Sequence, residues 1–188
     1  MSSALKHKND FQTPTDVAKY MVNMLPSDIV DVLEPTAGLG RIKTELELKG
    51  YNVTAPEDYF LLEKKKFDAV VMNPPFSGKS LIVDNAPLKF HGKGMQAGYM
   101  ILWECMQMAD TVIALMPWFT ISDSDPRMRS IKRYGLKSIT VLPRKTFDYT
   151  KIQTCVLELK KGWTADTIFY AYEFMHEGKE YQPLSLNL

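Results

Sequence analysis

The stretch that most restricts the fold is A-V-V-M-N-P-P-F, residues 69–76. Its apolar run, Ala69, Val70, Val71 and Met72, reads as a buried strand. Two successive prolines cannot continue a ladder, so the strand stops there and Asn73 marks its carboxyl end. In open α/β sheets that edge is where ligands bind. A side-chain amide, a carbonyl locked by the following proline and an aromatic plane suit one task well. They can accept both N–H groups of a flat ring's exocyclic amine and stack on the ring.

Upstream, Ile29–Leu33 reads as a strand, Glu34–Gly40 as a turn with two glycines, and Arg41–Leu48 as a helix. Strand, glycine turn and helix form the first unit of a Rossmann-like sheet. Gly38 and Gly40 let the backbone approach a ligand closely. The turn carries no phosphate-binding lysine, and Lys43 stands where the dinucleotide fingerprint needs its third glycine. That favours a nucleoside cofactor without a pyrophosphate. Gly50 ends the helix and Tyr51–Ala55 is a second short strand. Only Pro56 then separates Ala55 from Glu57-Asp58, so the sheet is abbreviated between its second and third strands.

Ahead of this unit, F-Q-T-P-T-D opens a helix carrying Val17, Tyr20, Met21 and Met24 at helical spacing. Thr13 or Thr15 is expected to cap it, with Pro14 near its first turn. Downstream the pattern gives a helix over Tyr99–Asp110 and a strand over Thr111–Met116. A helix capped at Ser124 or Asp125 and stopped at Gly135 follows, then strands over Leu136–Leu142, Ile152–Leu159 and Thr167–Phe174.

At 188 residues, 45% of them hydrophobic and 24% charged, the chain fits one domain with a full core. Residues 1–10 are expected to form a flexible N-terminus and residues 163–188 a C-terminal strand extension. No apolar run approaches membrane length, and the N-terminus lacks a signal peptide's apolar core. Cys105 and Cys155 lie in apolar surroundings without ligand spacing, which points to reduced core residues in a cytoplasmic protein. His91 has no Cys or His partner at ligand spacing, so no metal is expected. The net charge of +1 supplies no basic face by itself. The candidates for phosphate contact are local: Lys79 and Lys93 after the proline pair, Arg127, Arg129 and Arg133 on the helix before Gly135, and Arg144 and Lys145 in the loop that follows.

Three of these segments, in this order, resemble the amino-group methyltransferases that use S-adenosylmethionine, above all the DNA adenine-N6 enzymes with the gamma arrangement of motifs. The resemblance covers roughly residues 11–160 and rests on Phe11-Gln12-Thr13-Pro14, Glu34-Pro35-Thr36-Ala37-Gly38-Leu39-Gly40 and Asn73-Pro74-Pro75-Phe76. It implies a class I methyltransferase sheet, mostly parallel, with an antiparallel strand near the C-terminus. It implies S-adenosylmethionine as cofactor, with its methionine part against Phe11, Thr13 and Pro14 and its body over Glu34, Pro35, Thr36, Gly38 and Gly40. By the same resemblance Asp58 accepts the cofactor's adenine amine, Tyr59 or Phe60 flanks its ring, and Glu57 doubles for the ribose carboxylate. Asn73, Pro74, Pro75 and Phe76 then carry catalysis, with Asn73 also bordering the cofactor. DNA is the implied partner, with RNA adenine or a protein glutamine amide as alternative acceptors. A methyltransferase-like binding module with a weakened cofactor site is the non-enzymatic alternative. The catalytic fold uses nearly the whole chain, so target recognition is expected to fall to loops, a partner subunit or a second copy.

Overall fold

In the computed structural model, which describes residues 12–76, 85–93, 96–147 and 152–171, the chain alternates strands and helices. The strands are β1 Asp31–Leu33, β2 Asn52–Thr54, β3 Ala69–Met72, β4 Thr111–Pro117, β5 Leu136–Val141, β6 Thr154–Lys160 and β7 Ile168–Ala171. The helices are α1 Thr15–Asn23, α2 Arg41–Leu48, α3 Gln96–Met108, α4 Phe119–Ser122 and α5 Asp125–Tyr134. One sheet holds all seven strands in the order β2-β1-β3-β4-β6-β5-β7. Every pairing is parallel except those of β6, which runs antiparallel to both β4 and β5. The expected mostly parallel α/β sheet with an antiparallel strand near the C-terminus is the observed one.

The apolar runs explain the layers. In β3, Ala69 and Val71 face one side and Val70 and Met72 the other, and all four are fully buried. A strand covered on both faces needs apolar side chains at every position, not at alternate ones. Helices α1 and α2 cover one face through Val17, Met21, Ile42 and Leu46. Helices α3 and α5 cover the other through Ile101, Leu102, Cys105 and Ile131. Both cysteines are free and buried, and burial pushes the Cys155 thiol up to about 12. Among the described residues no helix is long and apolar enough to cross a membrane, and no group of three or more His, Cys, Asp or Glu side chains could hold a metal ion.

The structure redraws several boundaries for identifiable reasons. Strand β1 starts at Asp31, not Ile29, because the Asp68 carboxylate accepts the N–H groups of Val30 and Asp31 at 3.0 and 2.9 Å. Neither Thr13 nor Thr15 caps α1. Pro14 is the N-cap residue, without a side-chain cap bond, and Thr15 is the first helical residue. Helix α3 begins at Gln96 and so contains Gly98, which the sequence pattern places in the preceding loop. Ser124 does cap α5, accepting from the Arg127 N–H at 3.4 Å. The last strand ends at Ala171, and its expected continuation to Phe174 lies outside the described residues.

Between Thr54 and Ala69 the only regular element is one 3-10 turn, Tyr59–Leu61. The link expected to be abbreviated is therefore abbreviated. Strand β1 sits between β2 and β3, so the chain leaves β1 toward one side of the sheet and crosses to the other to form β3. That is the topological switch point, and the carboxyl ends of β1 and β3 border its crevice.

Candidate active site

Three segments distant in sequence meet at this crevice. Glu34 follows β1 and Asn73 follows β3, and the Thr36 hydroxyl donates to the Asn73 carbonyl at 3.1 Å. The Asn73 side-chain Nδ2 donates to Thr13 Oγ1 at 2.9 Å, and Thr13 is buried. The N-terminal segment is also tied to the glycine turn. The Leu39 N–H donates to Gln12 Oε1 at 2.9 Å, and Arg41 Nη1 donates to the Thr13 carbonyl at 3.0 Å. Thr-Pro, the glycine turn and Asn-Pro-Pro-Phe thus form one hydrogen-bonded cluster.

The turn itself needs its glycines. Gly38 and Gly40 have φ of +54° and +74°, in the left-handed region that side chains disfavour. A Cβ on Gly38 would also stand 2.6 Å from Gln12 Oε1. Gly40 is the N-cap residue of α2 and supplies no side-chain cap. Glu34 partly replaces it, because its carboxyl accepts from the Lys43 backbone N–H. Glu34 is 1% exposed, and its Oε2 has no hydrogen-bond partner. Burial pushes this carboxyl up to about 8, against the opposing pull of Lys43.

The segment after β2 divides its candidates. Glu57 is exposed. Asp58 is engaged within the protein, with Oδ1 accepting from the Phe60 N–H and Oδ2 from Asn85 Nδ2, both at 2.8 Å. Tyr59 is buried and its hydroxyl donates to Glu104 Oε2 at 2.8 Å, so this ring is committed to the core. Phe60 is the partly exposed ring, edge-on to Phe90 at 4.8 Å. Burial works against ionisation of Glu104, yet bonds from Lys89, Tyr59 and Lys64 hold its carboxyl below the usual range. Glu104 thereby ties the segments bearing Phe60 and Phe90 to α3.

In the tetrapeptide, Pro74 is buried, Pro75 half-buried and Phe76 only 2% exposed. Phe76 packs in the core cluster that holds Phe90 and Ala97. Stacking on a substrate ring requires the residues that cover Phe76 to part.

The basic candidates scatter along the chain. Phe11 and Lys79 lie outside the described residues. Lys93, Arg144 and Lys145 are exposed in loops. Helix α5 carries Arg127 and Arg129 in its first turns, Arg129 exposed. Arg133 lies about 9 Å beyond Arg127 along the axis and is exposed. Arg127 is partly buried, with its guanidinium over the Tyr99 ring at 5.7 Å.

Sequence reasoning missed Arg41, Asn85, Gly98 and Glu104, and gave Gln12 no role of its own. Two of these left signals. A cation at the first position of a helix is electrostatically disfavoured, so Arg41 needed an acceptor nearby. A lone carboxylate in the apolar stretch around Glu104 needed partners across the fold.

Neither a protein-family model nor a curated protein sequence matches this chain. Solved structures do resemble it. The methyltransferase subunit of a type I restriction-modification system from Streptococcus thermophilus is 20% identical, with a TM-score of 0.62 over 86% of this chain and 47% of that one. A protein from Listeria monocytogenes assigned to the class I S-adenosylmethionine-dependent methyltransferases is 18% identical, with a TM-score of 0.64 over 89% and 66%. A modification subunit assigned to a type I restriction enzyme of Vibrio vulnificus YJ016 is 20% identical, with a TM-score of 0.61 over 90% and 48%. The chain spans less than two thirds of the length of each of these proteins. At such identities the likeness establishes the fold, and the fold is that of the class I S-adenosylmethionine-dependent methyltransferases.

Proposed function

We propose that the protein transfers a methyl group from S-adenosylmethionine to the exocyclic N6 amine of adenine in DNA. The observation that carries this reading is the joining of Thr13, Thr36 and Asn73 at the switch point of a class I sheet. The residues present fit the cofactor. Gly40 has open space where a Cβ would stand, and the unpartnered Oε2 of buried Glu34 suits a bound cationic group. Thr13, Pro14, Glu34, Pro35, Thr36, Gly38 and Gly40 would hold it, with Asp58 and Phe60 at the purine end.

When bound, the cofactor supplies a methyl group on a cationic sulfur, already an excellent leaving group. The chain's own task is the acceptor. An adenine amine is a poor nucleophile because its lone pair is delocalised into the ring. The Asn73 amide oxygen and the Pro74 carbonyl each accept one amino hydrogen, which favours a tetrahedral nitrogen and directs its lone pair at the methyl carbon. Catalysis is then positioning plus stabilisation of a developing positive nitrogen, with no strong base needed. A duplex adenine must leave the stack to reach the pocket.

Transfer of a labelled methyl group to DNA, RNA and protein acceptors tests the reading. Label in DNA adenine supports it. Label only in RNA or glutamine moves the substrate, and no label with no cofactor heat in a calorimetric titration leaves a binding module. The chain would take its target sequence from its loops, a partner subunit or a second copy. For the duplex itself, replacing Arg127 and Arg129 by Ala is expected to weaken DNA binding and lower the salt slope by about one to two charges. A titration series in salt that shows the same slope would remove α5 from the interface.

A further inference from the structure

Gly98 occupies the third position of α3, and its side is buried. Glycine is among the poorest helix formers, so its place in a helix calls for a reason. Backbone conformation is not the reason. Among the described glycines, Gly98 is the one without a positive φ. Space is. A Cβ at this position would stand 2.8 Å from the Pro75 carbonyl oxygen, 3.5 Å from Pro74 Cγ and 3.7 Å from Phe76 Cδ1. All three neighbours belong to the proposed catalytic tetrapeptide. The nearest is a backbone atom between two constrained residues, so it cannot swing aside as a long side chain would.

We propose that Gly98 is a positioning residue: its bare Cα is the seat on which the Pro75 carbonyl rests, and that seat sets the Asn73 and Pro74 acceptors at the height needed for an amine. The inference rests on the proposed amino-methyl transfer. Any side chain at 98 lifts the tetrapeptide off α3. The displacement falls first on the two acceptors; the glycine turn feels it only through the Thr36 bond to the Asn73 carbonyl, and Gln12 and Arg41 hold that turn as well. Turnover therefore responds while cofactor affinity does not.

The test is Gly98→Ala, measured for kcat, for S-adenosylmethionine Kd by calorimetry and for Tm. A displacement of roughly half an ångström is expected to lower kcat on the order of 10-fold. The cofactor Kd stays within about threefold and Tm does not rise. If Gly98 were only a helix residue, the better helix former would raise Tm by about 3 °C and leave kcat alone. That result overturns the inference while the wild type's methyl transfer still stands. A wild type without transfer to any acceptor overturns both. Should Gly98→Ala fail to fold, Pro75→Gly in the same chain lets the carbonyl turn away from the new methyl. The double variant is then expected to fold and bind cofactor with kcat on the order of 10-fold below Pro75→Gly alone. Equal kcat values would refute the positioning role.

Discussion

Asn73→Ala is expected to cost on the order of 10²–10³-fold in methyl transfer, the usual effect of removing one preorganised hydrogen-bonding group from a reacting centre. The alanine keeps the strand end and both prolines, so the peptide still turns where it did. It loses the side-chain oxygen proposed to accept one amino hydrogen. It also leaves Thr13 Oγ1, a buried atom, without its donor from Asn73 Nδ2. That second loss costs about 1–3 kcal/mol, and it falls on the segment proposed to hold the cofactor's methionine part. The Leu39–Gln12 and Arg41–Thr13 bonds still tether that segment, so cofactor affinity is expected to weaken by roughly tenfold at most. Turnover and binding thus separate. Rates from single-turnover assays, set beside calorimetric Kd values, distinguish them. A variant with wild-type turnover would strip Asn73 of its assigned role.

The second large effect belongs to Glu34. Its carboxyl is raised from 4.5 to about 8 in the folded protein, chiefly by burial. The sign follows from proton counting. Below pH 4.5 both states hold the proton and stability is intact. Between 4.5 and about 8 the unfolded chain gives the proton up and the folded one keeps it, so stability falls with rising pH. Each pKa unit is worth about 1.4 kcal/mol, which puts the total fall on the order of 5 kcal/mol. Glu34→Gln keeps the shape and removes the titration. Chemical denaturation from pH 5 to 8 is therefore expected to show a descending limb in the wild type that is much flatter in Glu34→Gln. A cationic ligand near Oε2 reverses the preference, so S-adenosylmethionine is expected to bind with proton release at pH 7, read as a dependence of binding heat on the buffer's ionisation enthalpy. Identical pH profiles for the two proteins would disprove the buried neutral carboxyl.

Where the sequence was legible, local chemistry decided the outcome. Helix α2 runs over Arg41–Leu48 as its pattern indicates, because a left-handed glycine starts it and Gly50 stops it. Strand β3 ends at Met72 because nothing past Asn73-Pro74-Pro75 can extend a ladder. Where the sequence was silent, the deciding partner came from elsewhere in the chain. Thr13 looks like a helix cap until Asn73, sixty residues on, takes its hydroxyl. Tyr59 and Phe60 are interchangeable aromatics until Glu104 draws one hydroxyl inward. Gly98 resembles a loop glycine because the Pro75 carbonyl that excludes a side chain there is not a neighbour in sequence.

The clipped connection between β2 and β3 has a price elsewhere in the molecule. With no helix after β2, the side of the crevice proposed for the purine is bordered by residues 85–93, through Asn85 on Asp58 and Phe90 on Phe60. The same strip is the continuation of the chain that leaves Phe76. In the proposed function, a change at Asn85 or Phe90 would therefore be felt at the purine before it is felt at the amine.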